Sequence, residues 1–478
     1  MSEQRSSPPR RAPSAVLQFL GAARTVTGSR FLVDGPESEV LVDCGLFQGQ
    51  KHERLRNWAP FPIDPAIIDA VVLTHAHLDH CGYLPALVRG GFRGPVYATR
   101  GTAALAKVVL MDSARIQEDD AEFANRAGYS KHRPALPLYD TADAEAAIEC
   151  FETVEFETSF DAAASVRAIL RPAGHILGSA VVSLEVESAD SAMAPRRITF
   201  SGDLGRPSHA LLSAPAPPPP ADALVIESTY GDRVHADEDL ADRFTRVIRD
   251  TVAGGGVVVV PAFAVDRTEL VLRLIQQLRQ AGEIPDVPVF LDSPMALAAL
   301  EVYRTAIAEG WDEIRPELRG RIETLSTQGV TETSTVAESR KLVERRGPAI
   351  VISASGMATG GRVLHHLNER LRDPRNSIAL VGYQANGTRG RLLLDGARQV
   401  KMLGRYVPVR ASIHDLSGLS VHADQRGLID WVASAPSPPE MIYIVHGDEN
   451  ASLALQEALV RELDCAAVVP RDLELVRV

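Results

Sequence analysis

The segment Thr74-His75-Ala76-His77-Leu78-Asp79-His80 follows directly on an apolar run, Asp69-Ala70-Val71-Val72-Leu73. Three imidazoles and a carboxylate thus stand at the mouth of a predicted strand. If strand geometry continues past Leu73, His75 and His77 point the same way. Asp79 and His80 then fall on the turn beyond and face a second position. One short loop can therefore feed two adjacent metal ions. Packing does not explain the cluster, because crowded imidazoles and a carboxylate would repel one another or strand polar groups.

The rest of the chain must position these donors. With 478 residues it exceeds one ordinary core, so two domains are expected, one inserted in the other. A hydrophobic share of 45% and a charged share of 23% fit a globular enzyme. Four scattered cysteines (Cys44, Cys81, Cys150, Cys465) form no CxxC pair, which points to a reducing compartment and no disulfide framework. No apolar run approaches the ~20 residues needed to span a bilayer. Arg10-Arg11 ahead of residues 15–20 resembles an export signal, but the apolar part is short. Residues 1–14 therefore read as a disordered tail, and the cytoplasm as the location.

The formal charge of −12 argues against nonspecific polyanion binding. Locally the balance reverses: residues 362–410 carry ten Arg or Lys against Glu369, Asp373 and Asp395. A solvated helix face would give the same pattern.

Residues 15–34 and 39–45 read as antiparallel strands around a Gly-Pro turn, and 84–89 and 101–127 as helices. Strand patterning returns at 166–171, 180–187 and 197–202, before a proline run at 214–220 that suits a surface crossing. The grammar then changes. Val257–Val260 with Arg267–Gln280, Val289–Leu291 with Ala296–Ile307, and Ile350–Ile352 with Gly361–Leu371 are each strand, loop, helix. That alternation predicts a parallel sheet with helices on both faces. Residues 377–382 add a buried strand, and near residue 407 the first grammar is expected to resume, with His414, His422 and His446 at strand ends or in short loops.

Four further motifs carry candidates: Gly174-His175-Ile176-Leu177-Gly178, Ser201-Gly202-Asp203-Leu204-Gly205, Ser420-Val421-His422-Ala423-Asp424 and Ile444-Val445-His446-Gly447-Asp448. Taken singly, each reads more readily as a hydrogen-bonded turn. Together with the opening cluster and Glu227-Ser228-Thr229-Tyr230-Gly231 they resemble the metallo-β-lactamase superfamily, in its β-CASP branch of nucleic-acid-processing nucleases. The resemblance runs from about residue 16 to 478. It is especially close to bacterial ribonucleases related to the endonuclease subunit of the cleavage and polyadenylation machinery. Residues 353–367 and 381–388 look like the inserted domain of that subgroup.

The resemblance implies an αββα sandwich split by an inserted β-CASP α/β domain with a mainly parallel sheet. Its expected parts are residues 15–231, the insertion 232–420, and 421–478. It implies that His75, His77 and His175 hold one metal and Asp79, His80 and His446 a second, with Asp203 bridging. Two Zn²⁺ ions suit that donor set, with manganese or iron as alternatives. They would lie roughly 3.5–4 Å apart and share a hydroxide nucleophile. Asp43 would orient the histidine loop rather than bind metal. Asp79 and Asp203 count among the catalytic residues, and His422 with Glu227 as the general-acid pair. Ser355 and Gly356 open a turn whose N–H groups can receive a phosphate. Arg362, Arg389 and Arg391 are candidates for RNA backbone contacts. Arg267 opens a helix, where a capping or ion-pair role fits as well.

Other residues are set aside. His52, His132, His209, His235 and His414 match no motif and read as surface or hydrogen-bonded histidines. His365 and His366 fit packing or an RNA contact equally. Cys44 and Cys81 flank motifs at no ligand position, and the three tryptophans form no stacking platform.

The leading expectation is a two-metal ribonuclease that cuts single-stranded RNA internally, with no membrane partner and homodimerisation left open. Two alternatives stand beside it: a hydrolase of a small thioester or lactone on the same scaffold, and a noncatalytic RNA-binding subunit. The inserted domain argues against the first, since it would roof the site. The intact ligand set argues against the second.

Overall fold

Alternation in Val16-Leu17-Gln18-Phe19 turns Leu17 and Phe19 inward and leaves Val16 and Gln18 half-buried. The computed structural model, which describes residues 15–128, 130–190, 192–234 and 240–478, builds on that pattern. The tail expected at 1–14 and His235 lie outside the described residues.

Among those residues, the first sheet runs in the order Leu475–Arg477, Val16–Phe19, Phe31–Asp34, Glu39–Val42, Ala70–Val72, Val96–Thr99, Phe151–Val154. Its first four strands are antiparallel and its remaining pairings parallel. The second sheet has the order Ala467–Val468, Met441–Val445, Ala223–Glu227, Arg196–Phe200, Ala180–Val186, Val166–Pro172, Ser159–Ala163. Here the first four strands are parallel and the rest antiparallel. The sheets face each other across an apolar core that includes Leu17, Val182 and Val225. Aromatic rings bridge it, with Phe31 and Phe200 centroids 5.7 Å apart and Phe19 and Tyr443 5.3 Å apart. Helices Gln425–Ala433 and Glu449–Leu463 cover the outer face of the second sheet. Helices Leu84–Arg89 and Arg100–Ala127 cover the first. The result is the αββα sandwich expected.

The inserted layer is a six-stranded, wholly parallel sheet in the order Val330–Glu332, Val289–Leu291, Ala349–Ser353, Val257–Pro261, Ser377–Leu380, Ser412–Asp415. The unbroken valines of 257–260 are buried throughout, as a strand covered on both faces requires. One hydrophobic cluster joins helix Arg100–Ala127 to Pro294–Glu309 of this layer, so the two layers share a core.

Three details depart from the sequence reading. Residues 20–30 form a loop rather than strand, with Ala22, Arg24 and Gly28 at positive φ. Its backbone holds the site instead: Ser29 N–H donates to the Asp79 carbonyl (2.8 Å) and Ala22 carbonyl accepts from His446 N–H (2.8 Å). Asp79 and His80 lie on a one-turn helix, Leu78–Cys81, not a turn. The first grammar does not resume near 407. Strand Ser412–Asp415 pairs with Ser377–Leu380, and hairpin residues Val400, Met402 and Val407 pack into the inserted layer's core, so His414 belongs to that layer.

Asp292, wholly buried at the end of Val289–Leu291, fastens neighbouring segments of the insertion. Its carboxylate accepts from Ser339 Oγ (2.7 Å), His366 Nε2 (2.7 Å) and Arg362 Nη1 (2.8 Å). Burial opposes its ionisation, but these donors outweigh burial and hold its carboxyl below the usual carboxylate range.

Two outcomes follow. Phe200→Ala opens the sandwich core and should cost about 3–5 kcal/mol, read as a lower unfolding midpoint. The depressed Asp292 carboxyl adds stability that is complete above its unfolded value near ~4 and lost as pH falls through the folded value. Asp292→Asn should therefore flatten the acid limb of the stability–pH curve, measured by thermal unfolding between neutral pH and about pH 3.

Candidate metal centre

Parallel strands send their carboxyl ends to one edge, where ligands of open α/β sheets collect. Strands Arg196–Phe200, Ala223–Glu227 and Met441–Val445 are parallel neighbours. Asp203 follows the first, Glu227 ends the second and His446 follows the third. The histidine loop leaves Ala70–Val72 of the opposite sheet at the same edge.

His175 and Asp203 meet because their loops nearly touch at two glycines. A Cβ at Gly205 would lie 1.7 Å from the Gly174 carbonyl oxygen, so only glycine allows the approach. Gly205 N–H also donates to the Ala173 carbonyl (2.8 Å).

Two groups of donors converge. In the first, His77 Nδ1 lies 3.1 Å from His75 Nε2 and 3.3 Å from His175 Nε2. Asp203 Oδ2 stands 3.4 Å from His75 Nε2 and 3.5 Å from His175 Nε2. In the second, His80 Nε2 lies 3.2 Å from His446 Nε2, which is 3.6 Å from Asp79 Oδ2. Asp203 Oδ1 faces this group, 3.4 Å from His80 Nε2. The two oxygens of Asp203 thus divide between the groups.

Hydrogen bonds behind the rings fix their tautomers. Asp43 Oδ2 accepts from Thr74 Oγ1 (2.8 Å) and from His80 Nδ1 (2.7 Å). With its proton given to Asp43, the Thr74 hydroxyl accepts from His75 Nδ1 (3.0 Å). Both rings therefore present an unprotonated Nε2 inward when neutral. At His446, Nδ1 lies 3.2 Å from Thr229 Oγ1 and 3.4 Å from Asp203 Oδ1. A cation is what such a set of inward lone pairs lacks: Asp203 Oδ1, which faces the second group, is buried without a hydrogen-bond partner among the described residues. Three imidazoles and a carboxylate oxygen on one side, with two imidazoles and carboxylates on the other, fit zinc chemistry.

The electrostatics of the groups differ. Burial, reinforced by His75, pushes His77 down to about 3, and burial with the neighbouring His422 pushes His175 well below its ordinary value. These rings are neutral and ready to bind metal. At His80 burial is outweighed by Asp203 and Asp43, which raise it well above the usual imidazole value, and His446 is raised beside Asp203 and Asp79. Asp79 and Asp203 stay ionised despite burial, held far down by the surrounding histidines.

His422 sits beside this centre, its ring 4.3 Å from that of His175. Its Nδ1 donates to Glu227 Oε1 (3.2 Å), and the buried Glu227 is itself fixed by Leu204 N–H (2.7 Å) and Thr229 N–H (3.1 Å). A cavity of about 210 Å³ opens over the cluster, lined by His77, His175, His422 and His446 below and by Phe263 and Ser355 of the inserted layer above.

The structure thus brings together His75, His77, Asp79, His80, His175, Asp203, Glu227, His422 and His446, with Asp43 behind them. Ser355 and Gly356 line the same cavity. Arg362, Arg389 and Arg391 do not. Arg362 is spent on Asp292 and on the Thr333 and Ser334 carbonyls, and Arg389 on the Lys401, Ala358 and Thr359 carbonyls. Arg391 pairs with Asp395 one turn on, at 3.0 Å. Backbone carbonyls and the Asp292 carboxylate engage Arg362 and Arg389, and Arg391 stays half-exposed beside Asp395. Arg267 is buried, and its Nη1 donates to the Leu419 carbonyl. His366 is an internal partner of Asp292, and His209 is a buried, hydrogen-bonded histidine, one of the two readings expected for it.

Sequence reasoning missed Thr74, Phe263 and Tyr383. Thr74 lay inside the opening motif. Phe263 follows a parallel strand, the position where site residues gather, and its ring lies 6.3 Å from His77. Tyr383 donates to Asp448 Oδ2 (2.8 Å), tying the insertion to the His446 loop, and no local pattern announces it.

Among the described residues no helix is long and apolar enough to cross a membrane. Three family models match the chain: the metallo-beta-lactamase superfamily over 24–146, the Beta-Casp domain over 268–393, and the Zn-dependent metallo-hydrolase RNA specificity domain over 406–470. Ribonuclease TTHA0252 of Thermus thermophilus is 38% identical over 92% of this chain and 94% of its own length. Transcription termination factor FttA of Pyrococcus horikoshii is 32% identical over 96% of this chain and 70% of its own. A solved structure of a protein of unknown function from Enterococcus faecalis V583 is alike in fold, with a TM-score of 0.50 at 13% identity over 97% of this chain and 100% of that one. Family models along its length, and a relative matched nearly end to end, make this chain a member of the β-CASP branch of the metallo-β-lactamase superfamily of metal-dependent hydrolases.

Proposed function

We propose that this protein is a ribonuclease that hydrolyses phosphodiester bonds within single-stranded RNA. The observation that carries the reading is His422, held by the buried Glu227 and lining the same cavity as the metal-donor cluster. Support also comes from the names of the relatives, one a ribonuclease and one a transcription termination factor. We read residues 15–231 and 421–478 as the split metallo-hydrolase domain and 232–420 as the insertion that roofs it.

In this reading His75, His77, His175 and Asp203 hold one zinc ion, and Asp79, His80, His446 and Asp203 a second. Bound zinc supplies Lewis acidity: charge neutralisation at the phosphate and a more acidic water at neutral pH. Asp43 and Thr74 keep the Nε2 lone pairs of His80 and His75 aimed inward. The Ser355–Gly356 turn, on the opposite wall, receives a substrate phosphate through its N–H groups. His422 gives a proton to the departing ribose oxygen. Glu227 holds Nδ1 of that ring, which leaves the other nitrogen to make the transfer.

Purified protein with labelled single-stranded RNA and zinc should produce internal cuts that a chelator stops. Asp203→Ala should abolish cleavage, and His422→Ala should lower kcat by about 10²–10⁴-fold while zinc content is retained. Absence of metal-dependent cleavage, or full activity in Asp203→Ala, would sink the reading. Asp43→Ala should weaken zinc retention by about 10–100-fold, measured by dialysis and elemental analysis.

A further inference from the structure

The His175 loop makes a contact that the mechanism above does not use. Within residues 175–179, the His175 and Ile176 amides donate to Ser179 Oγ at 2.9 and 3.2 Å. The Gly178 carbonyl accepts from the Thr99 and Thr102 hydroxyls at 2.6 and 2.8 Å. The Leu177 amide reaches outside its own domain and donates to the hydroxyl of Tyr303 (3.0 Å), on helix Pro294–Glu309 of the inserted layer. Tyr303 is wholly buried and its hydroxyl donates to Asp266 Oδ1 (2.7 Å).

Asp266 is placed for this chain at the expense of its local role. It stands at the N-cap of helix Arg267–Gln280, where an aspartate ordinarily caps, yet its side chain makes no cap hydrogen bond. Its backbone has φ 67° and ψ −51°, a left-handed conformation that favours glycine. The second carboxylate oxygen receives His209 Nε2 at 3.1 Å. His209 can donate there in its neutral form, because Nδ1 is already occupied as acceptor for the Leu211 and Leu212 amides at 3.1 and 2.9 Å. His209 belongs to the 207–213 segment just after Asp203, and Arg315 of the insertion grips that segment through the Pro207 and His209 carbonyls.

We infer that Tyr303, Asp266 and His209 are positioning residues for the His175 ligand. Through them the seating of the inserted layer and the geometry of the first metal position are coupled. The inference rests on the reading of His175 as a metal ligand. Tyr303 fixes the loop two residues beyond that ligand, and Asp266 fixes the direction in which the Tyr303 hydroxyl points. His209 holds the other carboxylate oxygen, so Asp266 cannot swing back to cap its helix.

The test uses the full-length zinc-loaded chain. Tyr303→Phe removes one oxygen and keeps the ring, so the Leu177 amide loses its acceptor. Zinc release to an excess of chelator should quicken about tenfold, and the cobalt-substituted protein should show shifted visible ligand-field bands. Melting of the metal-free chain should fall too, because losing the Tyr303 hydroxyl costs both states the same buried hydrogen bonds, but by less than that of the loaded chain. Asp266→Asn keeps an oxygen for Tyr303 but turns an N–H against the His209 N–H, so its release rate should fall between wild type and Tyr303→Phe. Wild-type release rates and spectra in both variants would overturn the inference while leaving the ligand assignment standing. So would a loss of melting temperature in the metal-free chain as large as that in the loaded one, since that marks a general structural role. A wild-type chain that takes up no zinc would overturn the ligand assignment and this inference with it.

Discussion

Seven side chains aim unshared electron pairs or negative charge at one small volume from which solvent is largely excluded. Such a gathering is unfavourable until a cation neutralises it, so the surrounding structure must hold it open. Several of these groups are gripped by neighbours outside the centre, whereas His77 Nε2 and His175 Nδ1 have no hydrogen-bond partner among the described residues. Thr74 and Asp43 hold His75 and His80, Thr229 holds His446, and the strand ends carry Asp203 and Glu227. The two sheets serve this end by bringing the carboxyl ends of their parallel strands to a common edge. The glycine contact at 174 and 205 then removes the last obstacle between His175 and Asp203.

The two halves of the centre are electrostatically unlike, and the difference follows from where the carboxylates lie. Asp43, Asp79 and Asp203 all face His80 or His446, so positive charge is favoured there. His77 and His175 face each other and one shared carboxylate oxygen, so burial decides and both rings stay neutral. A metal-free centre is therefore kept from collapse by protons on one side and by rigid packing on the other.

Much of the site was legible because its ligands come in short motifs with fixed spacing. His75 to His80 could be read as a unit, and the strand–loop–helix alternation after residue 257 announced a parallel sheet through its unbroken apolar runs. What stayed hidden depends on partners far apart in the chain. The loop at 20–30 alternates like a strand, yet its backbone is committed to Asp79 and His446, which no local pattern encodes. Arg362 and Arg389 look like a basic surface in sequence, but Asp292 and backbone carbonyls of the insertion occupy their donors. His209 carries no motif at all, and only the meeting of Asp266 with it across 57 positions gives it a place. Strand Ser412–Asp415 resembles the earlier strands because pairing at a sheet edge leaves the same mixed burial.

His80 and His446 stand side by side although 366 positions separate them, with the whole inserted layer in the loop between. Any bond that joins them through a common centre acts on the unfolded chain as a crosslink does, by removing conformations open to a very long loop. The entropy withdrawn grows only with the logarithm of loop length, so the size of the insertion adds little to that cost. A layer of such size can therefore be carried between the motif and its distant histidine, and can diverge in length, without loosening the clasp that closes beneath it.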